Sequence, residues 1–283
     1  MSGVDLDLDL PGVRLRARRH GVPEEVPVLC LPGLTANLTS FDLLAAELVQ
    51  DRRQVVAFDL RGRGFSEVTA PGSYGWVQHA EDVLAAATKL GAARFDLVGW
   101  SMGGHVAMQV AALAAGRIRR LVLIDIAGPV TDRVALDAIV RGTGRLGAVY
   151  PSLEAYLALI QSLGTVVPWS DHWVEYFRYE LDAVEGGVRA RTSRPAAVED
   201  LDYTDRHDSR EHWPALTMPV LLLRSARPLL PEGGFLVTEE LRDQFLREVP
   251  GAEVVEVAAN HYGIAYDPGA VAAIRRFLKV GKV

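Results

Sequence analysis

Residues 4–10 and residues 13–18 alternate between apolar and polar side chains. Residues 4–10 carry an acid at every second position, and residues 13–18 carry an arginine at every second position. The turn-forming pair Pro11-Gly12 stands between them. Alternation with a period of two is typical of a strand that has one buried face. The pattern therefore predicts an antiparallel hairpin in which acids of one strand face arginines of the other.

Six later segments are short and apolar without such alternation, which is typical of strands covered on both faces of a parallel sheet. They are residues 26–31, 55–58, 95–98, 121–124, 220–223 and 254–257. Helical periodicity fills most of the intervals, at residues 41–49, 76–90, 103–115, 239–248 and 270–280. Alternating strands and helices predict an α/β protein with crossover helices.

One stretch, residues 130–213, departs from this alternation. It contains helical patterns, the clearest at residues 152–163 and 170–184, and we find no buried strand in it. We therefore predict a helical cap, inserted into a core that is formed by residues 1–129 and 214–283.

Composition and charge exclude several functions. Thirty basic and 36 acidic residues give a net charge of −6, which lacks the electrostatic signature of a nucleic-acid partner. The single cysteine, Cys30, excludes an internal disulfide and a cysteine-based zinc site. The histidines are scattered and no glycine-rich nucleotide loop occurs in the right context, so we expect no metal and no other cofactor. No secretory signal or membrane-length apolar run is found, so we expect a cytoplasmic protein without a membrane partner. The oligomeric state stays open.

A candidate nucleophile stands at a strand-to-helix junction. Residues 99–103 read G-x-S-x-G, with Ser101 at the centre. They follow the predicted strand at 95–98 directly and open the predicted helix at 103–115. A tight turn of this kind needs glycine neighbours and lifts the hydroxyl above the edge of the sheet. The context indicates that Ser101 is an exposed nucleophile.

Two further segments join this motif in resembling the α/β-hydrolase superfamily. Residues 31–37 (LPGLTAN) match the loop after the third strand, and residues 59–66 (DLRGRGFS) match the D-x-R-G-x-G-x-S loop. The resemblance implies the α/β-hydrolase fold, with a mostly parallel eight-stranded sheet flanked by helices and with an inserted helical cap. It also implies an oxyanion hole from the backbone N–H groups of Leu34 and Met102.

The same resemblance places a catalytic base at His261, which follows the last predicted strand. Most members carry the orienting acid after the penultimate strand, but residues 219–231 contain no carboxylate. We therefore predict Asp125, at the end of the strand after the nucleophile helix, with Glu232 or no acid at all as the alternatives. An acid at this strand end resembles some lactonases and E-2-(acetamidomethylene)succinate hydrolase.

A serine nucleophile favours acyl transfer to water through an acyl-enzyme. Esters and lactones of small molecules are therefore the expected substrates. Cleavage of a C–N or C–C bond by the same residues stays open. So does a non-hydrolytic receptor or lyase, because the fold alone does not fix the chemistry.

Aromatic side chains of the cap are candidates for the substrate pocket, although a stripe at helical spacing is equally consistent with packing of the cap on the core. The predicted substrate contacts are Trp100, Trp169, Trp173 and Tyr176. Three arginines of the cap would either receive a substrate carboxylate or form a solvated face, namely Arg133, Arg141 and Arg145. We expect His105, on the helix after Ser101, to face away from the site.

Overall fold

The computed structural model describes residues 3–279, which contain one large and one small β-sheet. The strands are, in chain order, β1 (Val4–Leu10), β2 (Val13–His20), β3 (Val28–Leu31), β4 (Val55–Phe58), β5 (Phe95–Trp100), β6 (Ile118–Ile124), β7 (Val149–Tyr150), β8 (Leu181–Val184), β9 (Gly187–Ala190), β10 (Val220–Ser225) and β11 (Ala252–Val257).

The large sheet has eight strands in the order β1-β2-β4-β3-β5-β6-β10-β11. The first two strands form the predicted hairpin, β2 also pairs antiparallel with β4, and the remaining neighbours are parallel. The prediction of a mostly parallel eight-stranded sheet is confirmed. Strands β3, β4, β5 and β10 are buried along their whole length because the sheet is covered on both faces, whereas the edge strand β11 is half-exposed.

Helices cover both faces of the large sheet and continue into the cap segment. They are α1 (Asp42–Gln50), α2 (Trp76–Lys89), α3 (Met102–Ala114), α4 (Arg133–Thr143), α5 (Leu153–Ser162), α6 (Asp171–Glu180), α7 (Arg194–Arg206), α8 (Glu239–Glu248) and α9 (Pro268–Lys279). One apolar core lies against α2, α3 and α8, and the other against α1, α9 and the cap helices α5 and α6. Within residues 3–279, no helix has the length and apolar character needed to cross a membrane.

The hairpin carries the charge pairs that its alternation predicts. Arg18 Nε lies 2.6 Å from Asp5 Oδ1, and Arg16 Nε lies 3.0 Å from Asp7 Oδ1. The paired side chains come from directly opposite residues of β1 and β2. Because these ion pairs are partly exposed, each contributes less than about 1 kcal/mol, and they fix the strand register more than the stability.

The cap segment is not wholly helical, so that part of the prediction is wrong. It contains a three-stranded antiparallel sheet in the order β7-β9-β8. The helix expected at residues 170–184 ends at Glu180, and residues 181–184 form β8 instead. The pair Gly186-Gly187 lies at the hairpin turn between β8 and β9. At Gly187 a Cβ would lie 1.9 Å from the Tyr150 carbonyl oxygen, so this close approach requires glycine.

A buried ion-pair cluster joins α7 to the large-sheet part of the chain. Asp200 accepts from the Gly75 backbone N–H at 2.6 Å and lies 2.6 Å from Arg63 Nη2 and 2.9 Å from His79 Nε2. Burial alone would raise the pKa of Asp200, but His79 and Arg63 hold that pKa well below its usual range. The carboxylate therefore fixes one end of the cap segment on the core.

Candidate active site

The turn between β5 and α3 holds Ser101 in a strained conformation. Its φ of 55° and ψ of −125° lie in a region that L-residues rarely adopt. The neighbouring glycines are sterically required, because a Cβ on Gly99 would lie 2.3 Å from the Gly103 carbonyl oxygen. A Cβ on Gly103 would lie 2.1 Å from the Leu31 carbonyl oxygen. The turn therefore places Ser101 at the carboxyl edge of the sheet, directly before a helix N-terminus.

Asp125 follows β6 at the same edge of the sheet and is buried. Its backbone N–H donates to the Leu223 carbonyl oxygen at 2.7 Å, and its Oδ1 accepts from the Ser225 N–H at 2.9 Å. Its φ of 50° is one that aspartate and asparagine tolerate better than other residues. These contacts with β10 fix the carboxylate and leave Oδ2 free to face the next loop.

That loop carries His261, whose Nδ1 lies 2.8 Å from Asp125 Oδ2. The indole Nε1–H of Trp100 donates to the His261 carbonyl oxygen at 3.2 Å, and the two rings lie 5.5 Å apart. His261 is thus held at a ring nitrogen by Asp125 and at its backbone carbonyl by Trp100. Glu232, the alternative acid, is exposed in a turn between Leu230 and Gly233.

A cavity of about 120 Å³ lies above this pair, and Ser101 and His261 both line it. Leu34 and Met102, the predicted oxyanion residues, line it as well. The loop that carries Leu34 packs closely on the nucleophile, since a Cβ on Gly33 would lie 3.6 Å from Ser101 Oγ. The structure thus brings all five predicted residues, those four and Asp125, to one place, while their chemical roles stay predictions.

The predicted aromatic contacts divide into two groups. Trp100 and Tyr176 line the cavity. Trp169 and Trp173 are not among the described residues that line it, so their contact with a substrate stays a prediction. Trp169 stacks on Phe177 with ring centroids 6.0 Å apart, and Trp173 is buried beside Tyr176 at 5.2 Å. Most of this helical stripe packs the cap onto the core, which was the alternative interpretation.

The three cap arginines have different environments. Arg133 is exposed and faces solvent beside Asp137. Arg141 lines the cavity at the exposed end of α4. Arg145 also lines the cavity but is buried, with Nη2 2.6 Å from Glu180 Oε1. A solvated face is therefore the wrong description of Arg145, because its charge is already paired inside the cap.

Arg145 also connects the cap to the loop after β3. Its guanidinium donates to the Tyr156 hydroxyl at 2.8 Å and to Thr35 Oγ1 at 3.3 Å. Burial raises the pKa of the Glu180 carboxyl, while Arg145 opposes that rise. The pair contributes polarity to the cavity wall with little net charge.

His105 is a cavity residue that the sequence analysis misplaced. It was expected to face away, but it lines the cavity from the first turns of α3. Burial lowers the pKa of its imidazole to about 3, so the ring is neutral at physiological pH. Ser101 precedes α3 and is not helical, so helical spacing from Ser101 could not predict the direction of His105.

Across residues 3–279, no group of three or more histidine, cysteine, aspartate or glutamate side chains is arranged to hold a metal ion.

Comparison with known proteins agrees with the order and geometry of these elements. The sequence pattern of the alpha/beta hydrolase fold family matches residues 26–144. The crystal structure of E-2-(acetamidomethylene)succinate hydrolase superposes with a TM-score of 0.87 at 26% identity, covering 98% of this chain and 100% of that one. The chain has the α/β-hydrolase fold. This assignment confirms the resemblance that the glycine-rich turn and its two companion loops indicated.

Two curated proteins align with this chain over nearly their whole length. The 3-hydroxybutyrate-oligomer hydrolase of Cupriavidus necator is 29% identical over 93% of this chain and 92% of its own length. The N-formylmaleamate deformylase of Pseudomonas putida is 27% identical over 94% of this chain and 93% of its own length. These similarities support hydrolase activity. The names of the relatives indicate that they cleave different kinds of bond.

Proposed function

We propose that the protein is a serine hydrolase that cleaves a small-molecule carboxylic ester or lactone through an acyl-enzyme. The observation that carries the proposal is the 2.8 Å contact between His261 Nδ1 and Asp125 Oδ2, beside a cavity that Ser101 also lines. A serine on a strained turn, a base and an orienting carboxylate form the constellation used for acyl transfer.

Each residue has one role in the proposed mechanism. Ser101 Oγ attacks the carbonyl carbon while His261 Nε2 accepts the hydroxyl proton and then returns it to the leaving group. Asp125 keeps the Nδ1–H tautomer in place and stabilises the imidazolium that forms. The backbone N–H groups of Leu34 and Met102 receive the negative oxygen of the tetrahedral intermediate, and donors of this kind are each worth about 3 kcal/mol.

The cap limits the substrate in this proposal. Residues 130–213 form a lid over the core, and Tyr176 and Arg141 of the lid line the cavity together with Trp100 of the core. A cavity of about 120 Å³ suits a small acyl or alcohol group. The ion-pair cluster of Asp200 limits motion of the lid at α7.

An amide bond is the second candidate, because one structural relative with a TM-score of 0.87 is named as an (acetamidomethylene)succinate hydrolase. The same nucleophile and base would release an amine in place of an alcohol, with His261 as the proton donor. Cleavage of a C–C bond and a non-hydrolytic receptor or lyase remain the alternatives for the test.

A matched substrate panel separates these functions. The panel contains an ester, a lactone, an amide and a 1,5-diketone of similar size, and kcat/KM is measured for each with the wild-type protein and with Ser101→Ala. We expect the ester or lactone to be cleaved fastest, and the variant to lose at least about a thousandfold. If the amide or the diketone were cleaved fastest, the C–N or C–C bond would replace the ester or lactone as the proposed target. Undiminished turnover by Ser101→Ala would rule out an acyl-enzyme on Ser101.

A further inference from the structure

His105 is held rigidly at the wall of the cavity. Its ring stacks on Trp76 with centroids 4.5 Å apart and planes 12° apart. Its Nδ1 lies 2.9 Å from the hydroxyl of Ser209, and the residue is 3% exposed. A ring that is fixed on its face and at one nitrogen has its second nitrogen, Nε2, in a fixed position as well.

The contact with Ser209 determines which nitrogen carries the proton. Among residues 3–279, His105 Nδ1 is the sole hydrogen-bond partner that the structure gives the Ser209 hydroxyl. The Ser209 side chain is fully buried, so its proton could find no other acceptor, whereas an Nε2–H of His105 can meet an acceptor in the cavity that His105 lines. Ser209 therefore donates to Nδ1, and the neutral imidazole carries its proton on Nε2.

Nε2 of His105 has no hydrogen-bond partner within the described part of the chain, and it is not among the fully buried polar atoms that lack one. His105 is one of the residues that line the cavity. Thr204, another cavity residue, is already bonded, since its Oγ1 accepts from Trp76 and donates to the Asp200 carbonyl oxygen. Ile126 and Leu201 supply apolar wall. His105 thus offers a single N–H donor in a largely apolar chamber.

We propose that His105 is a specificity-determining residue, whose Nε2–H donates to an uncharged acceptor oxygen of the substrate, a second carbonyl or an ether. The oxygen is uncharged because a buried carboxylate needs a cation: of the two described arginines that line the cavity, Arg145 is already paired with Glu180 and Arg141 is exposed at the end of α4. This proposal rests on the proposed function, since it concerns the part of the substrate that lies away from the bond cleaved at Ser101.

The first test is independent of turnover. The Ser101→Ala protein, with ¹⁵N-labelled histidine, is titrated with methyl hexanoate and with the methyl esters of 3-, 4- and 5-oxohexanoic acid. The matched acetates of hexanol and its oxo derivatives probe the alcohol side. We expect the Nε2–H tautomer of His105 from pH 5 to pH 8, and a shift of its Nε2–H resonance by at least one oxo probe. An Nδ1–H tautomer, a protonated ring, or equal responses to oxo and plain probes would overturn the proposal.

The second test measures the preference for the oxo ester, as the ratio of kcat/KM between matched oxo and plain esters. A hydrogen bond of this kind predicts a ratio of about ten for the best pair. His105→Gln keeps a donor near the Nε2 position and should retain the ratio, whereas His105→Asn and His105→Leu should reduce it to about one. The matched control is His207→Gln, on an exposed histidine that contacts the Tyr203 carbonyl oxygen, and it should leave the ratio unchanged.

The outcomes separate this proposal from the proposed function. If esters are hydrolysed but the ratio is near one, or if the ratio survives in His105→Leu, the role of His105 is wrong and the hydrolase proposal stands. If no ester is hydrolysed, the proposed function fails, and the resonance titration still decides whether Nε2–H binds an acceptor oxygen.

Discussion

Replacing Asp125 with asparagine removes a charge from the site and preserves its shape. The amide oxygen of asparagine can still accept from the Ser225 N–H, a contact of 2.9 Å, and asparagine tolerates the φ of 50°. The amide NH₂ then faces His261 Nδ1 in place of the Oδ2 acceptor. Two donors cannot share a hydrogen bond, so the imidazole must take its other tautomer or lose the contact.

The expected loss of activity follows from the role of the contact between Asp125 and His261. In the other tautomer the proton is on Nε2, so His261 cannot accept the proton of Ser101, and the imidazolium has no neighbouring carboxylate. The corresponding change in serine-protease triads costs about 10⁴ in rate. We expect kcat/KM to fall by about 10³ to 10⁴, equivalent to about 4 to 5.5 kcal/mol of transition-state stabilisation. The free energy of unfolding should fall by less than about 3 kcal/mol, the value of one hydrogen bond to a charged group.

The assay compares kcat/KM of Asp125→Asn and of Glu232→Gln on the best ester, with urea unfolding of each variant as the check on folding. Glu232 is an exposed carboxylate, so its variant should match the wild-type protein within about twofold. A loss below tenfold in a folded Asp125→Asn protein would refute the assigned role. A severe loss in Glu232→Gln would move the acid to that turn.

Three further predictions concern the turn, the lid and the base. Gly103→Ala should abolish folding or lower Tm sharply in a thermal scan, because its Cβ would lie 2.1 Å from a carbonyl oxygen. Asp200→Asn should cost about 3 kcal/mol in urea unfolding at pH 7, since it leaves the buried Arg63 charge without its partner. Because the pKa of Asp200 is depressed, the stabilisation is complete above the unfolded pKa near 4. This stabilisation is lost as the pH falls further. The difference in unfolding free energy between Asp200→Asn and the wild-type protein should therefore become smaller below pH 4. Trp100→Phe should lower kcat about tenfold by releasing the His261 carbonyl, measured on the best ester.

Each of these has a clear contrary result. A Gly103→Ala protein with wild-type Tm would mean that the turn can widen. If the unfolding free energies of Asp200→Asn and the wild-type protein differed by the same amount from pH 7 to pH 3, the Asp200 charge would not stabilise the lid contact. An unchanged kcat in Trp100→Phe would mean that other contacts position the base.

Much of the fold could be predicted from local patterns. Period-two alternation identified the hairpin, and the apolar runs located the parallel strands, because burial on both faces leaves no room for polar side chains. The small sheet of the cap could not be predicted in this way. Strand β8 (Leu181–Val184) follows α6 (Asp171–Glu180) without a break, and its pairing with β9 (Gly187–Ala190) depends on a hairpin that only tertiary contacts distinguish from a helix end.

Part of the candidate site could also be predicted from local patterns. Ser101 and Asp125 each follow a predicted strand, and the ends of parallel strands meet at one edge of the sheet. The contact of Asp125 with His261 joins residues 136 apart, so spacing could not establish it. The sequence also could not tell which aromatic side chains face the cavity, or that the Arg145 charge is neutralised within the cap.

The central claim is that Ser101 is an activated nucleophile. The most direct measurement is titration with a fluorophosphonate probe, followed by peptide mapping by mass spectrometry, in the wild-type protein and in His261→Ala. We predict stoichiometric labelling of Ser101 in the wild-type protein and labelling slowed by at least about a thousandfold in the variant. A folded wild-type protein that is not labelled, or is labelled at another residue, would contradict the account.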